Sequence, residues 1–509
     1  MHVRRSLALA VATAVAVAAV LTVVVALARK PAPTRPLTRS PARDADGRCR
    51  GVALAPGADV RRAVDAHPGG TVFCLAAGTY RVASAIEPKD AMQLIGEGPG
   101  RTVLDGSKRL MGWVLLASGT GRAPDRDLWW THGRLPRRPA HDPHCFTPGC
   151  GITQDVFIDG RRLERAMLLA DLTPGRFYES FADNRVFLAA DPAGHVVEQA
   201  VAERVVSSRA SGVRVADLSI AKAANPAQIG GLHAADGATG WVVDDVEVVA
   251  THGTGAVVDG GTVRNSTFHG NGQLGLAGAG RGSLILGNDI YGNNTAGYDP
   301  DWEAGGAKFG ARATDMHVTG NRVRDNRGPG LWCDISCYRW TVDHNFVVDN
   351  VDPDGDSGAG IFYEISYRCA IHDNFVSGNG PASGGKGFYH GGQIVIAASS
   401  DCDVHDNVVI GANGVGALQQ DRHSGSRGAL QVRNLSVRDN LMVQTAPAGE
   451  GAVTGLVQDI DDNRYFTEKN NRWVGNTYHL PDRSGAYFDW SNDLITQAAW
   501  KRFGQDSGA

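Results

Sequence analysis

The sequence has few aromatic residues, 7% of 509, and it lacks the motifs that identify several common enzyme classes. It contains no Cys/His spacing for zinc, no glycine-rich phosphate loop and no serine-centred nucleophile elbow. It also lacks a positive net charge. The formal charge is −4, and the first 46 residues carry seven Lys/Arg and two Asp, so subtracting that +5 leaves −9 for the remainder. An acidic body argues against nucleic acid as the main ligand.

Glycine is abundant instead, with 65 residues, which fits many tight turns and short strands rather than helices. A short motif, in which Asn stands between apolar residues, recurs seven times at intervals of 23 to 33 residues. The Asn residues of this motif are Asn265, Asn288, Asn321, Asn345, Asn374, Asn407 and Asn440. A repeat of this length, built from β-like segments and Gly/Asn turns, predicts a β-solenoid. Side chains on successive coils should then stack about 4.8 Å apart.

The repeat Asn residues are predicted to be structural, because stacked Asn side chains form hydrogen-bonded ladders or cap turns. A second Asn often follows five or six residues later, as at Asn271 and Asn326. Three histidines, His344, His372 and His405, precede repeat Asn residues at similar phases. They are interpreted as a stacked surface column rather than a metal site.

Residues 6–28 form an apolar run flanked by Arg4-Arg5 and Arg29-Lys30, which is long enough to span a bilayer. Residues 1–30 are therefore expected to be a transmembrane anchor or a cleaved signal peptide. The Pro-rich residues 31–48 are expected to be a linker. Either alternative places the body outside the cytoplasm, on the plasma membrane or secreted, and we expect a monomer.

The exported body is predicted to be all-β. It divides into an N-terminal helical cap with the first coils (49–110), an inserted small β-subdomain (111–205), regular coils (206–492) and a C-terminal cap (493–509). Caps are expected because exposed strands at solenoid ends would otherwise pair with other chains.

Eight cysteines agree with an oxidising compartment. Two disulfides are predicted, Cys49–Cys74 and Cys145–Cys150. Cys369 and Cys402 each lie five residues before a repeat Asn, so they should be stacked neighbours, either bridged or as buried thiols. Cys333 and Cys337 are left unassigned.

The candidate chemistry lies on the strand that precedes each repeat Asn by about ten residues. If Leu331 and Ile361 point into the coil, strand alternation turns Asp334 and Glu364 outward on neighbouring coils. Two carboxyl groups roughly 5 Å apart cannot both ionise freely, so the pKa of one should rise. One proton donor and one acceptor result, which is what general acid–base catalysis requires.

Other outward residues are expected to shape a substrate cleft around this pair. Trp332 and Phe362 flank it and are expected to stack on a sugar ring. The remaining substrate-binding candidates are Glu303 and the polar cluster Gln419, Gln420, Asp421 and Arg422. For that cluster a structural role is an equal alternative. Asp459 and Asp489, further along the stack, are interpreted as solvated surface acids.

The chain resembles the pectate-lyase-like superfamily of right-handed parallel β-helices, and more narrowly the exported β-helix repeat proteins of high-GC Gram-positive bacteria. The stretches that carry the resemblance are Asp301–Phe309, Gly328–Ile335 and Gly360–Ser366. The resemblance implies a right-handed parallel β-helix from about residue 49 to 506. It also implies polysaccharide chemistry, because hydrolases, lyases and epimerases all use this fold.

A sharper resemblance links Asp301, Glu303 and Lys308 to the acid-x-acid-x4-Lys motif of the chondroitinase B and alginate lyase group. It implies Ca²⁺ held by Asp301 and Glu303, with Asn271 as a candidate third ligand, and Lys308 as the catalytic base. The group's catalytic Arg, one coil later, is absent, and Asp334 occupies that region.

Three functions are therefore expected from the sequence. The first is a glycoside hydrolase that needs no cofactor, with Asp334 and Glu364 as its acid/base pair. The second is a calcium-dependent lyase or C5-epimerase acting on a uronate polymer, with Lys308 as base. The third is a non-catalytic cell-surface protein that binds glycans.

Overall fold

The computed structural model describes residues 47–507, except for 117–126, 235, 311–312, 354–357, 382–390, 419 and 426. These residues belong to one compact unit, Ala42–Ala509. The unit Met1–Pro41 and the expected anchor or signal peptide lie outside the described residues. Within them, no helix is both long enough and apolar enough to cross a membrane.

Short parallel strands wind into a β-helix, as the repeat predicts. Each coil contributes a strand to three rows, and every row pairs in register with the coils before and after it. The first row is a 12-stranded sheet. Its strands are Val206–Ser207, Gly230–Ala234, Thr254–Val258, Leu274–Gly278, Gly305–Gly310, Leu331–Asp334, Ile361–Glu364, Ile394–Ala397, Val415–Leu418, Thr454–Leu456, Ala486–Trp490 and Asp493–Thr496.

The other two rows form a 23-stranded sheet, because two long strands, Arg214–Ala221 and Val242–Val249, run through both. The second row further contains Val52–Leu54, Val72–Leu75, Gln93–Ile95, Thr262–Arg264, Leu284–Leu286, His317–Thr319, Tyr338–Asp343, Tyr367–His372, Ser400–His405, Ser436–Arg438 and Arg472–Val474. The third row further contains Gly78–Arg81, Thr102–Asp105, Thr267–His269, Asp289–Tyr291, Arg322–Arg324, Phe346–Val348, Phe375–Ser377, Val408–Gly411, Leu441–Gln444 and Thr477–His479.

The inward residues of all three rows form one continuous apolar core, which includes Leu331, Ile361, Val342 and Val347. Strand alternation therefore has the predicted phase in the first row. The residue before each ladder Asn adopts a left-handed backbone, as at Gly320 (φ +66°) and Asp373 (φ +53°). This conformation turns the chain sharply between the second and third rows, and it explains why Gly and Asp recur there.

The predicted Asn ladder is confirmed for six of the seven repeat residues. Each side-chain oxygen accepts hydrogen bonds from the backbone N–H and the side-chain amide of the previous rung, as Asn345 does from Asn321 at 2.9 Å each. The ladder runs through Asn288, Asn321, Asn345, Asn374, Asn407, Asn440 and Asn476. The prediction is wrong for Asn265, which takes the left-handed turn position (φ +51°), while Ser266 donates to Asn288.

A second ladder joins Asn271, Asn293, Asn326, Asn350, Asn379 and Gln393. The histidine column is only partly as expected. His372 and His405 are in register and stack with ring centroids 4.8 Å apart. His344 instead occupies the left-handed turn (φ +54°), and Asp343 stands in the column.

An antiparallel subdomain occupies much of the expected insertion. One of its sheets contains Ser107–Arg109, Val156–Ile158, Arg161–Arg162 and Val197–Ala200, and the other contains Val114–Leu116, Leu128–His132, Glu164–Ala166, Arg176–Ser180 and Arg185–Leu188. A buried contact joins it to the β-helix. Asp155, which is paired with Arg162 of the subdomain at 3.2 Å, lies 3.1 Å from His252 of the solenoid. A short 3-10 helix spans Leu169–Asp171.

Helices are few and short: Val60–Ala66, Pro300–Glu303, Arg464–Thr467 and Gln497–Arg502. The first buries Val60 and Val64 at the start of the core. The expected C-terminal cap begins as a strand, Asp493–Thr496, antiparallel to Ala486–Trp490, and becomes helical only at Gln497. Thr496 caps that helix by accepting a hydrogen bond from the Ala499 N–H.

Both predicted disulfides, Cys49–Cys74 and Cys145–Cys150, are present. Cys369 and Cys402 are bridged across neighbouring coils, and Cys333 pairs with Cys337. The last pair encloses the turn directly after Asp334.

Candidate active site

Three successive strands of the first row bring the candidate catalytic residues together on one face. Lys308, Trp332 and Phe362 are partners in register. Asp334 and Glu364 lie two residues further along their strands, and therefore on the same face. The inward neighbours Leu331 and Ile361 are fully buried in the core.

Lys308 is the centre of this arrangement. Its ammonium group lies 2.9 Å from a carboxylate oxygen of Asp334 and 3.5 Å from one of Glu303. It also donates a hydrogen bond of 2.8 Å to the Trp302 carbonyl and lies 3.5 Å from the centre of the Trp332 ring. Because Lys308 is only 7% exposed, these contacts are poorly screened by solvent. The ammonium group is thus engaged by two carboxylates, a carbonyl and an aromatic ring.

Glu364 is buried and is only 8% exposed. One of its oxygens accepts a 2.8 Å hydrogen bond from the Trp332 indole N–H. Burial, and then the negative charge of Asp334, raise the pKa of Glu364 to about 8, although Lys308 acts in the opposite direction. Glu364 therefore carries a proton at neutral pH.

Asp334 differs from Glu364 because its carboxylate is paired with the Lys308 ammonium. Its second oxygen, Oδ1, is buried and has no hydrogen-bond partner among the described residues. A buried acceptor without a donor is unfavourable, at roughly 1–3 kcal/mol. This oxygen can therefore accept a hydrogen bond from a hydroxyl group that enters the site.

The aromatic residues do not provide the expected platform for a sugar. Trp332 and Phe362 are each only 3% exposed, and their rings stack on each other with centroids 5.5 Å apart. Lys308 also contacts the Trp332 ring. The structure thus makes these rings part of the buried packing of the site. Sequence alternation predicted the correct face but not that this face is covered.

The polar cluster that follows the strand Val415–Leu418 is also structural in the described residues. The fully buried Gln420 side chain accepts a hydrogen bond from the Asp459 N–H and donates one to the Val457 carbonyl, and its backbone N–H donates to the Asp459 carboxylate. Arg422 forms an ion pair with Asp459, and Asp421 accepts a hydrogen bond from Gln431. Gln419 lies outside the described residues.

These contacts fix the base of a β-hairpin, Asp421–Gly425 and Gly428–Gln431, that the sequence did not predict. They favour the structural alternative for Gln420, Asp421 and Arg422. Asp459 is exposed, as expected for a solvated acid, although it is paired with Arg422. The expectation is wrong for Asp489, which is buried; burial together with the charge of Asp493 raises its pKa to about 7.

The calcium set suggested by the lyase motif does not fit this geometry. Asn271 is fully buried, and its side chain is committed to the second ladder, accepting from Thr251 and donating to Asn293. Glu303 is engaged by Lys308 and accepts a 2.7 Å hydrogen bond from Gln228. Asp301 lies exposed on the helix Pro300–Glu303. In the described part of the chain, no three His, Cys, Asp or Glu side chains form a group that could hold a metal.

Sequence analysis missed several residues that support the site. Gln228 reaches Glu303 from a coil 75 residues earlier, and no local pattern marks it. His144 of the subdomain stacks on Trp302, with centroids 3.6 Å apart. The Cys333–Cys337 disulfide constrains the turn after Asp334. Its short spacing within the sequence was a signal that could have been used.

Residues 230–418, which include the whole carboxyl site, match the family model described as the right handed beta helix region. A search of curated proteins found no match. Among solved structures, the chain is similar to XylC in complex with xylose, at 15% identity over 80% of this chain and 83% of that chain, with a TM-score of 0.54.

Two other similar structures have TM-scores below 0.5. One is the A-module of the Azotobacter vinelandii mannuronan C-5 epimerase AlgE4, at 15% identity over 86% of this chain and 98% of that chain, with a TM-score of 0.47. The other is described as a glycoside hydrolase, at 11% identity over 90% of this chain and 99% of that chain, with a TM-score of 0.48. The family match and the similarity to XylC establish the fold, a right-handed parallel β-helix.

Proposed function

We propose that this right-handed parallel β-helix protein is a carbohydrate-active enzyme of the glycoside hydrolase type, with Glu364 as general acid and Asp334 as its carboxylate partner. The observation that carries the proposal is the unequal surroundings of two neighbouring carboxyl groups. Burial raises the pKa of Glu364, to about 8, whereas Asp334 is paired with the Lys308 ammonium group. Pairs of acids whose environments separate their pKa values are a recurring device of acid–base catalysis.

In the proposed reaction Glu364 donates its proton to the glycosidic oxygen as the bond to the leaving sugar breaks. Asp334 stabilises the positive charge that develops at the anomeric carbon, or attacks that carbon to form a glycosyl-enzyme bond. A water molecule then attacks the same carbon and gives up a proton to Glu364. The separation of the two carboxyl groups decides between a retaining mechanism, about 5–5.5 Å, and an inverting one, about 6.5–9.5 Å.

Lys308 has a positioning role in this scheme. It pairs with Asp334 and orients its carboxyl group, and Glu303 and the Trp302 carbonyl fix the ammonium group in turn. This arrangement disfavours the lyase alternative, in which Lys308 would remove a proton from the substrate. An extracytoplasmic location, with the N-terminal segment as anchor or signal peptide, remains part of the proposal, and four disulfides support it.

The test is an incubation of the full chain with neutral and uronate polysaccharides, with and without a chelator. New reducing ends report hydrolysis, and near-ultraviolet absorbance from a new C=C bond reports a lyase. Glu364→Gln and Asp334→Asn should each lower the release of reducing ends by roughly 10²–10⁴-fold. Asp489→Asn is the matched control, because Asp489 is a second buried carboxyl with a raised pKa in the same sheet.

Absorbance that a chelator abolishes would refute the hydrolase proposal and support the calcium-dependent lyase. Activity that survives both carboxyl substitutions would move the chemistry to another site. Binding of a glycan without turnover, unaffected by either substitution, would support the non-catalytic alternative.

A further inference from the structure

A group of arginines surrounds one tyrosine just beyond the carboxyl pair. The guanidinium carbons of Arg339, Arg368 and Arg427 lie 4.9, 5.6 and 4.0 Å from the centre of the Tyr338 ring. All three arginines are exposed. We call Tyr338 and these three arginines the arginine patch. Three cations that converge on one ring are unusual on a body whose net charge is negative.

The β-helix itself sets the position of two of these arginines. Tyr338 and Tyr367 are partners in register on neighbouring coils, so Arg339 and Arg368, which follow them, also lie one coil apart. Both arginines adopt a left-handed backbone, at φ +59° and +55°. A non-glycine residue in this conformation costs roughly 1 kcal/mol. The fold therefore places the backbones of the two arginines about 4.8 Å apart.

The unpredicted hairpin supplies the third arginine. Arg427 stands in its tip, between the strands Asp421–Gly425 and Gly428–Gln431. The Tyr367 hydroxyl donates a 2.7 Å hydrogen bond to the Gly428 carbonyl, which docks the tip beside the Tyr338 column. At the other end, the Arg422–Asp459 ion pair fixes the hairpin base. The polar cluster thus has an indirect role, because it anchors the hairpin that presents Arg427.

Among the described residues, two of the three guanidinium groups lack a carboxylate counterion. Arg339 is paired with Asp315. In contrast, no described Asp or Glu lies within ion-pair distance of Arg368 or Arg427. Asp401, one coil beyond Arg368, accepts a 2.8 Å hydrogen bond from Asn434 instead. The guanidinium groups of Arg368 and Arg427 are planar donors suited to paired hydrogen bonds with carboxylate or sulfate groups. No carboxylate of the described residues occupies them.

We propose that Tyr338, Arg339, Arg368 and Arg427 form a binding surface for an anionic polysaccharide, separate from the carboxyl pair. The choice of a polysaccharide rests on the proposed function. Asp334 lies four residues before Tyr338, and Glu364 lies four residues before Arg368. The Cα atoms of each pair are therefore at most about 14 Å apart. A glycan engaged at the carboxyl pair can therefore extend onto the patch. The proximity of the carboxyl pair, rather than charge alone, favours a glycan over nucleic acid, which is a second polyanion.

The test is binding of the full chain to immobilised polygalacturonate, which carries carboxylates, and dextran sulfate, which carries sulfates. Neutral dextran and double-stranded DNA are the comparison ligands. The wild type should bind at least one anionic glycan roughly tenfold more tightly than neutral dextran and than DNA, and added salt should weaken that binding. The preferred polymer identifies the anionic group.

The variants then locate the binding surface. Arg368→Gln with Arg427→Gln should weaken anionic glycan binding roughly tenfold, and the corresponding double Lys variant should recover part of it. Arg281→Gln is the matched control, because Arg281 is exposed and pairs with the same Asp315 as Arg339. It should bind like the wild type. Thermal unfolding curves check that every variant is folded.

Absence of binding to both anionic glycans would overturn the proposal, as would unchanged binding by the double Gln variant. Tighter binding to DNA would replace it with nucleic acid recognition. Asp334→Asn separates this proposal from the proposed function, because it should abolish turnover while anionic glycan binding persists. If the wild type binds anionic glycans but does not cleave any polysaccharide, only the hydrolase proposal is refuted.

Discussion

The wild type is expected to lose stability as the pH rises from about 5 to about 8, and Glu364→Gln is expected to lose much less. Gln has nearly the shape of a protonated Glu, and its carbonyl oxygen can accept the same hydrogen bond from the Trp332 indole. The substitution therefore imitates the protonated state at every pH. In the wild type, by contrast, the buried group must lose its proton as the pH rises.

The pKa of Glu364 is raised from an ordinary value of 4.5 to about 8. Because the folded protein binds this proton more tightly than the unfolded chain, the favourable contribution is fully present below about pH 4.5. It is lost progressively as the pH rises to about 8. Each pKa unit corresponds to 1.36 kcal/mol, so the full change is roughly 5 kcal/mol.

The assay is denaturant unfolding of the wild type and Glu364→Gln at about pH 5 and about pH 8.5. The two proteins should have similar stability at the lower pH. At the higher pH, the variant should be more stable by several kcal/mol. Equal losses of stability in both proteins across this range would refute the reasoning, because Glu364 would then already be ionised in the fold. A variant equally destabilised at both values would instead indicate a packing defect.

Three further outcomes follow from the described contacts. Lys308→Met should lower the unfolding free energy by about 3–5 kcal/mol at neutral pH, since it leaves the buried Asp334 carboxylate unpaired. It should also move the alkaline limb of the pH–activity profile to higher pH, because the charge of Lys308 lowers the pKa of Glu364. An unmoved limb would contradict this. Asn345→Ala removes contacts with two neighbouring rungs and should lower the free energy of unfolding by about 3 kcal/mol in denaturant. Asn265→Gly, at an exposed left-handed turn outside the ladder, should lower it by less than about 1 kcal/mol. Asp489→Asn should be more stable than the wild type at about pH 8 but not at about pH 4, because burial raises the pKa of Asp489 to about 7; equal stability at both would show that Asp489 is solvated.

The fold was predictable because the length of each solenoid coil appears directly as a repeat in the sequence. Each coil repeats the same turn, and the ladder needs an amide side chain at one fixed phase. Asn321, Asn345 and Asn374 therefore marked the coils without any knowledge of long-range contacts. The one error in the series, Asn265, arose because the residue before a ladder position also favours Asn, for its left-handed backbone.

The carboxyl pair was predictable for the same reason. Strand alternation and coil register place Asp334 beside Glu364 once the inward residues are identified. Burial was not predictable in this way. Nothing in the local pattern shows that the face carrying Trp332 and Phe362 is covered, because residues far away in the sequence determine the cover.

The sequence by itself determined the coil, its phase, the ladders and the proximity of the two acids, because these depend on repetition over neighbouring turns. Only the tertiary structure decided which acid keeps its proton and which is paired with Lys308. It also decided that the Gln420 cluster anchors a hairpin and that three arginines converge on Tyr338. Protonation and charge pairing depend on burial and on groups from distant segments, and a one-dimensional pattern does not contain either.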